Sequence, residues 1–287
     1  MKDANMEAIN ERIRQFRDSL SLENAPRPGS PLWAGVDLGT ANIVTAVVDR
    51  DGTPVAGMTT RSKSTVRDGL VFDYMGVMSI LKTHVQVLRS RGFDIRDAAA
   101  AYPPGTMGRN RQAFGHILNG ADLEAVSLVD EPSAAALALG IDSGCVVDIG
   151  GGTTGISILE NGEVVYTGDE PTGGHHLDLV IAGSMGISIE EAEAMKNNPA
   201  HQRMLAGMVM PVFEKMGAIV REHTASYKPK QIYLVGGTSS FPGADEVIAK
   251  ETGLPVFLPD DPLLVTPLGT ALHAALAAPG RKAAANE

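Results

Sequence analysis

Two stretches decide the fold: Val36-Asp37-Leu38-Gly39-Thr40-Ala41-Asn42 and Val147-Asp148-Ile149-Gly150-Gly151-Gly152-Thr153-Thr154-Gly155. Each closes an apolar strand on an aspartate, turns on glycine and threonine, and restarts as an apolar strand. Asp37 and Asp148 hold equivalent places in the two halves of the chain. A hairpin turn follows each at nearly the same remove, at Gly52 after Asp37 and at Gly162 after Asp148. Asp51-Gly52 and Asn161-Gly162 are both turn pairs that favour tight β-hairpins. The chain therefore reads as an internal duplication. An α/β protein with two lobes side by side is expected, with a ligand cleft between them.

Glycines in series let backbone N–H groups converge on an anion with no Cβ in the way. Thr40, Thr153 and Thr154 add hydroxyl donors. An aspartate beside each turn would repel a bare phosphate, and makes sense with a hard cation such as Mg²⁺ between, held through its waters. One glycine turn is explained by hairpin twist alone. The recurrence of Asp-Gly in both halves favours a polyphosphate clamp.

Outward from these turns, the first lobe is expected over residues 32–142 and the second over 143–278. A helical insert is expected at 188–227, a last helix at 266–278 that returns to the hinge, and a tail at 279–287. A third glycine turn, Val235-Gly236-Gly237-Thr238, follows an apolar strand and lets a flat base or ribose approach the backbone. Glu131 precedes the small-residue helix Pro132–Leu139. Residues 266–275 form a second small-residue helix, and two such helices can cross closely, as a hinge or as tight core. The insert carries Met195, Met204, Met208, Met210 and Met216. Methionines adapt to irregular surfaces, but apolar spacing in a helical cap is ordinary core.

The first 31 residues read separately. Met6, Ile9, Ile13, Phe16 and Leu20 are spaced 3, 4, 3, 4, one stripe of a helix over about residues 6–22. Three prolines in residues 26–31 make the following stretch a linker. The helix either docks a partner or folds back onto its own body.

Composition removes several classes of function. The 287 residues hold 24 Lys+Arg against 34 Asp+Glu, a net charge of −10, which disfavours nucleic acid and anionic membranes. Cys145 is the only cysteine, so no disulfide framework or cysteine zinc site is expected. Apolar runs stop well short of a membrane span, and the N-terminus lacks the apolar core of a secretory signal. A cytoplasmic protein is expected. His175 and His176 are adjacent, a spacing that fits solvated or hydrogen-bonded histidines better than a metal site.

With these segments in this order, residues 32–278 resemble the actin/Hsp70/sugar-kinase ATPase superfamily. The order is phosphate loop, connecting helix, phosphate loop, adenosine loop, connecting helix. Residues 66–74 and 186–193 are similar to segments of bacterial actin-like, pilus-assembly and cell-division proteins. Within the superfamily the chain looks most like the ethanolamine-utilization protein J family. The resemblance implies a duplicated RNase H-like, actin/Hsp70-type fold that binds ATP or ADP with Mg²⁺. On it, Asp37 and Asp148 would hold Mg²⁺ through water. Gly39, Thr40, Ala41, Asn42, Gly150, Gly151, Gly152 and Thr153 would bind phosphates, with Gly173 and Gly174 close by. Glu131 would orient the attacking water, and Gly236, Gly237 and Thr238 would meet the adenosine.

The resemblance further implies a chaperone-like, ATP-driven switch of ethanolamine utilization, for which weak ATP hydrolysis suffices. Its protein client would be ethanolamine ammonia-lyase or microcompartment shell proteins, and its location at or near the compartment. The N-terminal helix is similar to tags that direct cargo into such compartments. Alternatives in the same superfamily are a non-catalytic nucleotide-binding scaffold, a small-molecule kinase and a filament former. Two departures stand out. The first-lobe lysine of Hsp70 chaperones has no clear counterpart, Lys63 and Lys82 being candidates, and no Hsp70-type peptide clamp is expected after the last helix.

Overall fold

The computed structural model describes residues 2–27, 29–62, 66–67, 70–71 and 73–278. It divides into two compact units. One runs to Ile141 and resumes at Pro259, and the other covers Asp142–Leu258.

In the first unit, α1 (Lys2–Ser19) precedes the hairpin strands β1 (Trp33–Leu38), β2 (Asn42–Val48) and β3 (Pro54–Arg61). A small ribbon, β4 (Val66–Arg67) and β5 (Leu70–Val71), leads to α2 (Tyr74–Ser90), β6 (Asp97–Tyr102), α3 (Gly108–Gly120), β7 (Glu124–Asp130) and α4 (Glu131–Leu139). The second unit repeats the plan with β8 (Gly144–Ile149), β9 (Thr154–Glu160) and β10 (Glu163–Glu170). Helices α5 (Gly174–Met185), α6 (Ile189–Lys196) and α7 (Pro199–Thr224) follow, then β11 (Ile232–Val235), α8 (Ala244–Thr252) and β12 (Val256–Phe257). Helix α9 (Val265–Ala277) completes the described chain.

The sheet orders are β3-β2-β1-β6-β7 and β10-β9-β8-β11-β12, the same topology twice. In the first sheet Asp37 faces Val44, and in the second Asp148 faces Gly155. Both aspartates thus pair with the residue seven positions on (44 − 37 and 155 − 148), so the duplication extends to the register. Each sheet has its own core: Val36, Ile43, Leu81, Leu88 and Phe114 in one, Val147, Ile156, Ile181, Phe213 and Ile248 in the other. Cys145 lies in the second core, where burial pushes its thiol up to about 12, far from reactivity. The insert methionines divide: Met216 is fully buried, Met204 is exposed, and Met195, Met208 and Met210 pack against the core as half-buried residues.

Helix α9 folds with the first unit, whereas the sequence placed it with the second lobe. The cause is steric. Gly35 on β1 gives way to the backbone of Ala271, and β6 offers only alanines between Asp97 and Tyr102. Small side chains on the strands let the helix lie close to the sheet. On its other side α9 crosses α4, where Gly269 meets the backbone of Ala134.

Helix α1 also folds with the first unit, which is the fold-back alternative. Ile9, Ile13 and Phe16 are buried, and Phe16 and Leu20 rest over Gly57 of β3. Arg14 pairs with Asp260 at 2.8 Å and Arg17 with Asp261 at 3.2 Å. The apolar stripe is therefore covered within the chain. Phe16→Ala is expected to cost about 3–5 kcal/mol, the usual range for a buried phenylalanine. A urea melt of the variant checks this, and a stripe meant only for a partner would show no loss.

His84 on α2 is fully buried, between the hydroxyls of Thr45 (2.9 Å) and Thr60 (2.7 Å). Burial lowers its pKa to about 4, so the ring is neutral at physiological pH.

Candidate functional site

The second unit gathers most of the predicted residues. Strand β8 delivers Asp148 to the start of the turn Gly150–Thr153, and β11 delivers Gly236 beside it. Gly236 has φ +88, and a side chain there would overlap Asp148 Oδ1 and stand 2.5 Å from the Ile149 carbonyl. Only glycine fits, in conformation and in space. Thr238, on the short 3-10 turn Gly237–Ser240, donates its hydroxyl to the Gly150 carbonyl at 2.8 Å.

A further turn closes on the same loop. Gly173 is packed so tightly that a Cβ would lie 2.6 Å from the Gly152 carbonyl carbon and 2.7 Å from the Thr153 nitrogen. The N–H groups of Gly174 and His175, at the start of α5, donate to the carbonyls of Gly150 (3.0 Å) and Gly151 (2.8 Å). In a trans peptide the N–H points opposite to the carbonyl. The N–H groups of Gly151 and Gly152 are therefore aimed away from α5, a pair of consecutive donors suited to an anion. Thr154 does not join them. Its buried hydroxyl donates to the Thr172 carbonyl at 2.5 Å and fixes the base of the turn.

Sequence reasoning missed one residue here. Lys196, the last residue of α6, places its Nζ 2.7 Å from Asp178 and 3.0 Å from the Gly174 carbonyl. Both side chains are largely buried. Burial holds the Asp178 carboxyl above the usual carboxylate range, with Lys196 opposing that shift. Four segments thus meet within one unit: the Gly150–Thr153 turn, the Gly173–Gly174 turn, the Gly236–Thr238 turn and the end of α6. His176 accepts a hydrogen bond from the Gly173 N–H at 3.3 Å, and His175 is exposed. Among the described residues no group of three or more His, Cys, Asp and Glu is arranged to hold a metal.

The first unit carries the rest of the predicted set. Asp37 is the penultimate residue of β1, before the Gly39–Ala41 turn, where a side chain on Gly39 would stand 2.8 Å from the Asn42 carbonyl. Ala41 accepts the Ser62 N–H at 2.9 Å, and Asn42 opens β2. Glu131 is the first residue of α4, whose N-cap Asp130 accepts the Ser133 N–H at 3.0 Å. Glu131 and Asp37 therefore stand at the carboxyl ends of two parallel-running strands of one sheet, with β6 between them. Lys82 lies exposed on α2, and Lys63 lies outside the described residues.

Ethanolamine utilization protein EutJ of Escherichia coli (strain K12) is 43% identical over 244 residues, 84% of this chain and 86% of its own. The chain belongs to the EutJ family. The crystal structure of ethanolamine utilization protein EutJ from Carboxydothermus hydrogenoformans, at 47% identity, superposes with a TM-score of 0.87 over 93% of this chain and 99% of that one. The MreB/Mbl protein family matches residues 53–197, and the cell division protein FtsA family matches residues 145–274. MreB5 of Spiroplasma citri bound to ADP shares the fold at 18% identity, with a TM-score of 0.69 over 90% of this chain and 99% of that one. The chain is thus an actin-like protein with two sheet-containing units. None of its described helices is long and apolar enough to cross a membrane.

Proposed function

We propose that this chain is a nucleotide-dependent switch of ethanolamine utilization that binds ATP or ADP with Mg²⁺. The observation that carries the reading is the convergence in the second unit of the Gly173–Gly174 and Gly236–Thr238 turns on the Gly150–Thr153 turn that follows Asp148, with Lys196 beside them. The residues fit the group. Gly151 and Gly152 supply backbone donors, Lys196 supplies a cation, and the Gly236–Thr238 turn beside them would meet the adenosine. Bound Mg²⁺ would neutralise phosphate charge, with Asp37 and Asp148 holding it through water. Gly39, Thr40 and Asn42 would serve as a second set of phosphate donors. Glu131 would orient the water for a slow hydrolysis.

The family relationship supports a protein client within ethanolamine utilization. Of the chaperone-like roles, assisting microcompartment assembly and protecting ethanolamine ammonia-lyase both suit a slow switch. In either, ligand-dependent populations of the protein would be read by a partner.

Thermal unfolding of the full chain with Mg²⁺ and ATP or ADP tests the nucleotide reading. A ligand at 100 times its Kd adds about 2.7 kcal/mol, a rise in Tm of roughly 4–5 °C for a chain of this size. Asp148→Ala and Asp37→Ala are expected to lose most of the Mg²⁺-dependent part. A wild-type chain with no shift at millimolar nucleotide would overturn the reading.

A further inference from the structure

At the base of the Gly173–Gly174 turn lies a polar cluster outside the predicted site. The phenol of Tyr166 is 2.6 Å from His223 Nδ1, and His223 Nε2 is 3.2 Å from Glu170 Oε1. A carboxylate only accepts, so Nε2 carries the proton toward Glu170. In the neutral ring Nδ1 then accepts from the tyrosine hydroxyl, and the chain of donors runs Tyr166 to His223 to Glu170. Tyr166 also stacks against Tyr227, with ring centroids 5.0 Å apart.

The fold makes room for this cluster. A side chain on Gly168 would lie 2.6 Å from His223 Nδ1 and 3.2 Å from the Tyr166 hydroxyl. Gly168 and Glu170 alternate on one face of β10, so the imidazole of α7 sits over a strand position kept bare. Glu170 in turn faces Thr154 across the β9–β10 ladder. Its carbonyl accepts the Thr172 N–H at 2.7 Å, and the Thr172 carbonyl accepts the Thr154 hydroxyl. Just beyond, Gly174 and His175 bind the carbonyls of Gly150 and Gly151. Hydrogen bonds thus join Glu170, Thr172 and Thr154, and Thr172 leads directly along the chain into the Gly173–Gly174 turn.

We propose that His223 is a positioning residue: the Tyr166–His223–Glu170 relay fixes the base of the Gly173–Gly174 turn from helix α7 and so sets the donor geometry of the Gly150–Thr153 loop. For its effect on ligand affinity this rests on the nucleotide reading; for its effect on the turn it does not. Histidine at 223 is then required for one donor and one acceptor on opposite sides of a planar group, not for bulk alone.

Amide hydrogen exchange on the unliganded full chain tests it, using wild type, His223→Ala, His223→Gln and Gly168→Ala. Gly168→Ala displaces the ring without removing it, and glutamine keeps a donor and an acceptor. Protection of the Gly174 and His175 amides is expected to fall about tenfold in His223→Ala and Gly168→Ala, a local opening. The Ser239 and Cys145 amides are expected to hold, and His223→Gln to recover most of the loss. Equal loss at all four amides, or none at Gly174 and His175, would overturn the proposal. Titration with Mg²⁺ and ATP separates the two readings. If wild type shows no binding but the local loss is seen, the nucleotide reading fails and the relay stands. If His223→Ala binds like wild type with unchanged exchange, the relay fails and the nucleotide reading stands.

Discussion

Gly269→Ala is expected to lower the stability of the first unit by about 2–3 kcal/mol, although alanine is the better helix former. In an open helix the exchange would gain about 1 kcal/mol. Here the added methyl overlaps the Ala134 carbonyl oxygen and comes within 2.5 Å of its carbon. These are backbone atoms of α4, so no rotamer change relieves the overlap. The helix cannot retreat either, because Ala271 of α9 is pressed against Gly35 on the opposite side. Overpacking of a well-packed core costs about 1–3 kcal/mol, and with no side chain able to yield the upper part of that range applies here. Gly183→Ala supplies the contrast. Gly183 is helical and exposed, with nothing near its missing Cβ, so that variant should gain up to about 1 kcal/mol. Paired urea melts read both. Equal stability of the two variants would mean that the α4–α9 crossing is loose.

The crossing also shows what a sequence conceals. Its small residues were legible, and so was their consequence, two helices packed closely. What the helix packs on was not. Gly35 and the alanines of β6 belong to the early part of the chain and α9 to its end, and a small-residue stripe carries no address. The hairpins were legible for the opposite reason. Aspartate, glycine and a turn pair are local signals, and their recurrence at Asp37 and Asp148 required no knowledge of the partner surface. Helix α1 falls between these cases. Its stripe was visible, but the mark of its resting place is Gly57, a strand glycine that admits the Phe16 ring at 2.5 Å from where a Cβ would stand.

The site divides in the same way. Glycine turns declared themselves because consecutive glycines have few other uses. Lys196 did not. At the end of the acidic helix Ile189–Lys196, a lysine reads as a solvated cation favoured by the helix dipole. Its partner Asp178 lies on a different helix, α5, and only the fold brings them to 2.7 Å. The His223 relay was hidden likewise, since its members are far apart in the chain and divided between a strand and a helix.

Lys196→Met is expected to be the most damaging single change at the site, with a pH signature that identifies the cause. Removing one partner of a buried ion pair costs about 3–5 kcal/mol, because the remaining charge is left uncompensated. Here that charge is Asp178, 5% exposed. Burial already raises its pKa, and Lys196 is the main influence acting against the rise. Without the lysine the folded-state pKa moves further above the unfolded value. A carboxyl in that position favours folding while it is protonated, and the contribution is lost as pH rises through the folded pKa. The variant should therefore be closest to wild type near about pH 5 and furthest from it near about pH 8. Adding Asp178→Asn to Lys196→Met removes the charge at every pH and should restore much of the loss at the higher pH. Urea midpoints of the three proteins at the two pH values decide it. A deficit that does not vary with pH and is not relieved by asparagine would mean that Lys196 acts by packing over the Gly174 carbonyl and not by balancing a buried carboxylate.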